Sequence, residues 1–78
     1  MSKFIITENI IDEIGKIDVV VPEGGKKFRL LDDDGIVYFN GVYYGDMSED
    51  AFSPLDDYGS SWGCTDIQYL ENNKWESL

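Results

Sequence analysis

The sequence predicts a mainly β or α+β domain: a twisted, partly rolled antiparallel sheet of four or five strands with at most one short N-terminal helix. Apolar, β-branched and aromatic residues fall into short runs, and turn-forming Gly, Asn and Asp residues separate these runs. The 78 residues suffice for one domain. A chain of this length buries roughly 60 to 65% of its unfolded surface, so we expect a modest core.

The N-terminal part predicts strands at residues 4–7 and 17–21, the second entering a turn at 22–25. Residues 8–15 are open to two interpretations. Their isoleucines at 10, 11 and 14 share one helical face, and Gly15 could end such a helix. Eight residues make a marginal helix, however, and β-branched residues also suit a strand.

A three-stranded meander is predicted from residue 27 to residue 44, with strands at 27–31, 36–39 and 42–44. The acidic stretch 32–35 forms the first turn, where Gly35 can adopt a positive φ. Asn40-Gly41 lies between two apolar runs, which is typical of a two-residue type I′ hairpin.

Residues 46–63 are predicted to be mostly loop. One helical turn at 47–52, capped by Ser48, would be stopped by Ser53-Pro54. Residues 65–70 alternate in polarity like a half-buried strand, and a turn at 72–74 brings Trp75 back onto the sheet.

The negative charge is concentrated in the second part of the chain. The net charge is −10, yet residues 1–29 contain five acids and five bases, whereas residues 30–73 contain ten acids and no base. Such an excess repels itself and attracts cations or basic protein surfaces. Leu-Asp-Asp-x-Gly occurs twice in this part, at 31–35 and 55–59. Two interpretations of this repeat are open. The two acidic turns could be similar by chance, or both turns could project their carboxylates to the same rim of the protein.

The chain offers little for catalysis. It contains no histidine, so the commonest general base is missing and Cys64 lacks the usual partner of a cysteine nucleophile. We interpret Cys64 as a small core residue. Paired carboxylates could hydrolyse a glycosidic bond, but so small a domain has little depth for the cleft that this chemistry needs. We therefore expect no enzymatic activity and no cofactor.

A divalent-cation module is the alternative from a different class. Asp-Asp-Asp-Gly resembles part of a calcium loop, but the EF-hand register places Leu30 and Gly41 where acids are required. A different cage would combine carboxylates of the two acidic stretches. Its members would be Asp32, Asp33, Asp34, Asp56 and Asp57.

Aromatic residues are interleaved with the acids, and Tyr and Trp are enriched in protein interfaces. Most of these rings are expected in the core, whereas Tyr58 and Trp62 lie beside two aspartates and are candidates for partner contact. The predicted partner-binding residues are Asp32, Asp33, Asp34, Asp46, Glu49, Asp50, Asp56, Asp57, Tyr58 and Trp62.

The chain resembles a group of short acidic proteins of bacteria, plasmids and phages that have no assigned activity. Three stretches carry the resemblance: LLDDDG within 28–41, PLDDYG within 52–59 and GCTDIQY at 63–69. The likeness covers about residues 27–77. In size and charge the chain is also similar to phage-encoded anti-CRISPR and anti-restriction proteins that act as DNA mimics. That second likeness rests on composition and implies no particular functional residue.

The function expected from the sequence is therefore non-enzymatic binding of a basic partner through an acidic surface. In a narrower form of this hypothesis the surface mimics nucleic acid and inhibits a nucleic-acid-binding defence protein. Direct binding of nucleic acid is not expected, because no basic stripe exists. A subunit of a larger assembly, with a merely solubilising charge, remains a further alternative. The N-terminus has neither a signal-peptide core nor a membrane span, so we expect a cytoplasmic protein.

Overall fold

The computed structural model describes residues 4–11, 15–45 and 49–78, with the side chains of Lys16, Glu49 and Asp50 left out. One antiparallel sheet contains all six strands, in the spatial order β2-β1-β4-β3-β5-β6. The strands are β1 (Phe4–Asn9), β2 (Gly15–Lys16), β3 (Lys26–Leu31), β4 (Val37–Tyr43), β5 (Asp66–Glu71) and β6 (Lys74–Ser77). Because β2 is only a two-residue edge, five strands carry the sheet, which curls without closing. The predicted fold class is confirmed.

The core lies on one face of the sheet. Alternate residues of the central strands point to it, and the short helical segment between β4 and β5 covers it. Tyr69 fixes this cover, because its hydroxyl donates a 2.7 Å hydrogen bond to the carbonyl of buried Ala51. The buried cluster comprises Phe28, Leu30, Phe39, Tyr43, Ala51, Cys64, Ile67 and Tyr69. Cys64 is thus a core residue, as predicted.

The prediction of a hairpin at Asn40-Gly41 was wrong, because both residues lie inside β4. A Cβ at Gly41 would stand 2.4 Å from Cζ of Phe28 and 2.5 Å from the carbonyl oxygen of Ile5. Glycine is needed here for close packing against both neighbouring strands, not for a turn. Asn40 points to the opposite face, where its Nδ2 donates to Glu8 at 2.9 Å.

The N-terminal segments also differ from the prediction. Strand β1 extends to Asn9, so the start of residues 8–15 is strand, Ile10 and Ile11 form a turn, and residues 12–14 lie outside the described part. The predicted strand 17–21 is absent. Ile17 still donates to the Thr7 carbonyl at 2.9 Å, but the Val19 N–H then turns back to the Ile17 carbonyl and leaves the sheet.

Residues 49–62 are helical rather than mostly loop. A 3₁₀ helix (Glu49–Phe52) leads into α1 (Ser53–Asp57), and a second 3₁₀ helix (Gly59–Trp62) follows. Among the described residues the one short α-helix lies here, between β4 and β5, whereas the sequence analysis expected it near the N-terminus. Pro54 was expected to stop a helix, yet it occupies the first turn of α1, where its missing N–H breaks no helical hydrogen bond.

Candidate functional site

The β3–β4 turn holds three of the predicted binding residues. Oδ1 of Asp32 accepts hydrogen bonds from the backbone N–H groups of Asp34 (2.9 Å) and Ile36 (3.0 Å). These bonds, led by the one from Ile36, keep the pKa of Asp32 below its ordinary value. Asp32 therefore shapes the turn as well as adding charge, while Asp33 and Asp34 are exposed to solvent.

The second acidic stretch lies in α1, where Asp56 and Asp57 are exposed. The chain after α1 is tied to the end of β3. The Cys64 N–H donates to the Gly59 carbonyl at 3.0 Å, and the Thr65 N–H donates to the Leu31 carbonyl at 2.8 Å. The end of the helical segment is therefore joined to the end of β3 where the β3–β4 turn begins. We call Asp32, Asp33, Asp34, Asp56 and Asp57 the aspartate surface.

The two Leu-Asp-Asp-x-Gly copies contribute to this surface through different structures. The first ends β3 and forms a turn, with Gly35 at φ +80°. The second spans the last residues of α1 and the start of the following 3₁₀ helix. The shared letters do not encode a shared conformation.

The described basic residues lie mainly at the other end of the sheet. Lys26 and Lys27 open β3, and Lys74 opens β6 opposite Glu71, which forms an ion pair with Lys26. Asp32 follows Lys26 by six positions, which is about 20 Å along the strand at roughly 3.3 Å per residue. At physiological salt the Debye length is about 8 Å, so these lysines do little to neutralise the aspartates.

Apolar side chains accompany the aspartate surface. The rings of Tyr58 and Trp62 both pack edge-on against buried Phe39, with centroids 4.9 and 5.6 Å apart. Tyr58 is half-buried, so it serves mainly as packing, whereas Trp62 remains 42% exposed. The sequence analysis missed Ile36, which is 56% exposed directly after the first acidic turn. Its place immediately after Gly35 was the signal available.

Asp66 also escaped the sequence analysis. It pairs with Leu31 in the β3–β5 register, beside the first acidic turn, and accepts a 2.9 Å hydrogen bond from the Ser77 hydroxyl. The signal available in the sequence was its position as the first acid after the second acidic stretch.

Three predicted residues are not placed at this surface. Asp46 lies outside the described residues, and Glu49 and Asp50 are described only as backbone in the first 3₁₀ helix. The cation cage built from the two acidic stretches does not form, because the described residues contain no group of three or more carboxylate, Cys or His side chains able to hold a metal ion. Oδ1 of Asp32, one of its proposed ligands, is already used by the turn.

Among residues 4–11, 15–45 and 49–78, no helix has the length and apolar character needed to cross a bilayer. No protein-family model matches the chain, and neither a curated protein nor a solved structure shows significant similarity to it.

Proposed function

We propose that this protein is a non-enzymatic binding protein whose aspartate surface docks onto a basic surface of another protein. The observation that carries the proposal is the separation of charge along the sheet. Asp32, Asp33, Asp34 and Asp66 lie at the end of β3 and β5 where the β3–β4 turn begins. The described lysines of β3 and β6 lie at the opposite end, together with Glu71. A one-sided negative field speeds encounter with a basic partner and orients it.

Exposed apolar side chains support the same proposal. A charged rim gives orientation and on-rate, while affinity usually depends on a few large apolar anchors. Trp62 is 42% exposed and its ring is fixed by Phe39, so little side-chain entropy remains to be lost on binding. Ile36 adds a second apolar contact beside Asp34.

In the narrower form of the proposal the partner surface is a nucleic-acid-binding groove, and the aspartates occupy the positions of phosphates. The net charge of −10 on an 8.9 kDa chain supports this form. A groove that binds phosphates is rich in Lys and Arg, which a carboxylate surface can also engage.

A pull-down from a lysate of the source organism, at low and high salt, tests the proposal. A specific partner should be retained at low salt and lost as salt rises. The double variant Asp56→Lys with Asp57→Lys should then lower the affinity for that partner by roughly ten-fold. The matched control, Glu23→Lys with Glu76→Lys, makes the same change in net charge at exposed residues away from the aspartate surface.

The comparison between the two double variants decides the matter. If both double variants lower the affinity for the partner equally, net charge alone explains the binding and the aspartate surface is not a binding site. A partner that binds regardless of salt and of both variants would also refute the proposal. Competition with labelled duplex DNA for the purified partner tests the mimic separately, because only a mimic should displace the DNA.

A further inference from the structure

A cleft lies on the outer face of the sheet, away from the core and from the aspartate surface. Its volume is about 400 Å³, within the range of roughly 300 to 1,000 Å³ that is typical of small-molecule sites. The side chains that give the cleft its chemistry come from β1, β3, β4, β6 and the segment before β3. They are Glu8, Val21, Lys27, Asn40, Val42 and Trp75.

The segment 17–25 forms one wall of the cleft as a strap across the sheet. The Tyr44 hydroxyl donates a 2.5 Å hydrogen bond to the Pro22 carbonyl, which fixes the strap near its end. Gly25 then passes so close to β4 that a Cβ would lie 2.1 Å from Cγ1 of Val42. This anchoring places Val21 at the rim of the cleft, 42% exposed.

Trp75 forms the aromatic wall, and the sheet holds its ring in place. The Arg29 guanidinium lies over the indole, 4.4 Å from the ring centroid. Nε of Arg29 donates a 2.7 Å hydrogen bond to Gln68, so the stacked guanidinium is itself fixed. Arg29 covers one face of the indole, and the part of the ring that lines the cleft is a preformed apolar contact for a ligand.

Lys27 supplies a cation that no described residue neutralises. Its neighbour Lys26 pairs with Glu71, whereas Arg29 stacks on Trp75, donates to Gln68 and does not line the cleft. Lys27 is exposed at the cleft and makes no ion pair within the described part of the chain. Glu8 lines the cleft two strands away, about 10 Å across the sheet, with Oε1 engaged by Asn40.

We infer that this cleft binds a small organic anion with an aromatic or branched apolar body. The body packs between Trp75 and the valines, and the carboxylate pairs with Lys27. The site is separate from the aspartate surface and does not rest on the function proposed for that surface. The first acidic turn begins about 16 Å along the strand from Lys27, about two Debye lengths at physiological salt, so it opposes the anion only weakly.

Three probes of nearly equal size test the inference: phenylacetate, neutral 2-phenylethanol and cationic phenethylamine. Titrated into the ¹⁵N-labelled full chain, phenylacetate should shift the indole N–H resonance of Trp75 saturably. So small a ligand should bind with a dissociation constant of roughly 1 mM. The neutral probe should bind about five-fold more weakly and the amine more weakly still. The indole N–H of Trp62, in the same spectrum, should not move.

Lys27→Gln should lower the affinity for phenylacetate by about five-fold and leave the affinity for 2-phenylethanol unchanged. Lys74→Gln, at an exposed lysine that does not line the cleft, is the matched control and should change neither affinity. The inference is overturned if no probe gives a saturable shift up to about 10 mM, ten times the expected constant. It is equally overturned if all three probes bind alike, if the amine binds best, or if Lys27→Gln has no selective effect.

Discussion

Replacing Gly41 by alanine should destabilise the protein far more than a single methyl group normally does. Gly41 sits in the central strand β4, paired with Ile6 of β1 and Phe28 of β3. The added Cβ would meet the Phe28 ring at 2.4 Å and the Ile5 carbonyl oxygen at 2.5 Å, where ordinary contacts are 3.4 to 4 Å. Each contact is therefore about 1 Å too short, and the second involves backbone.

The size of the effect follows from these two contacts. Overpacking a core costs about 1 to 3 kcal/mol. The upper end applies here, because the ring is fully buried and the carbonyl belongs to a paired strand. We therefore expect a loss of about 3 kcal/mol from a total of roughly 4 to 12 kcal/mol for a domain of this length. The melting temperature should fall by roughly 12 to 24 °C.

Urea unfolding followed by circular dichroism measures the loss in the free energy of unfolding. Gly35→Ala is the comparison, because Gly35 has φ +80° and open space around its Cα, so it should lose only about 1 kcal/mol through backbone strain. In a Phe28→Leu background the cost of Gly41→Ala should fall by about 1 kcal/mol, since one of the two contacts is relieved. A cost below about 1 kcal/mol, or one unaffected by Phe28→Leu, would refute the packing argument.

The remaining predictions concern titration and stacking. Asp32→Asn should destabilise the protein at pH 7, as monitored by thermal melts. The pKa of Asp32 is lowered on folding, so its stabilisation is complete above about pH 4 and is lost as the pH falls through the lowered pKa; the gap between the two proteins should close there. Burial raises the pKa of Cys64 to about 11, so Ellman's reagent should label it at pH 8 only at the rate at which the fold opens. Arg29→Lys keeps the charge but loses the planar stack on Trp75, and should cost about 0.5 to 1 kcal/mol in urea unfolding. Lys74→Arg, at an exposed site, should stay within about 0.5 kcal/mol of the parent.

Period-2 alternation predicted strands best where the strand has one buried face. Strand β5 was expected from the alternation at 65–70 and occurs at Asp66–Glu71, with Ile67 and Tyr69 buried. The first acidic turn was also predicted correctly. These features depend on local contacts and on a single buried face, so the sequence pattern reports them directly.

The prediction of a hairpin at Asn40-Gly41 was wrong because contacts with residues distant in the sequence, and not a turn, account for both residues. Gly41 is small because Phe28 leans over it from the next strand, and Asn40 is polar because it bonds to Glu8 of β1. Neither partner is close in sequence. Turn propensity alone cannot distinguish a glycine that needs a positive φ from one that needs empty space.

The prediction of a strand at 17–21 was also wrong, because residue propensity favoured a strand where no pairing strand is present among the described residues. Its β-branched residues favour a strand, yet Val20 is 87% exposed and no strand of the described part of the chain pairs with it. Tyr44, 22 residues beyond Pro22, anchors this strap through one hydrogen bond, and Gly25 fixes its approach to β4. A contact between two segments so far apart in sequence leaves no local pattern. The wall of the cleft could therefore not be predicted from the sequence.

The candidate acidic residues were predicted from charge counting, but their grouping depends on tertiary hydrogen bonds. The bond from Thr65 to Leu31 brings the helical segment to the end of β3, and no periodicity in the sequence specifies that contact. The exposed fraction of Trp62 likewise follows from its packing on Phe39. Composition could thus indicate an acidic surface, whereas its location required the fold.

Salt separates the two proposals. Affinity for a basic partner at the aspartate surface sums attraction over several carboxylates and should fall steeply between 50 and 300 mM salt, by roughly ten-fold or more. In the cleft one attraction, between Lys27 and a carboxylate, competes with weak repulsion from a protein of net charge −10. Salt screens both terms together, and the aromatic contact with Trp75 does not depend on salt. The affinity for phenylacetate should therefore change by less than about two-fold over the same range. A steep loss there would mean that the cleft attracts anions only through diffuse charge and has no stacking surface.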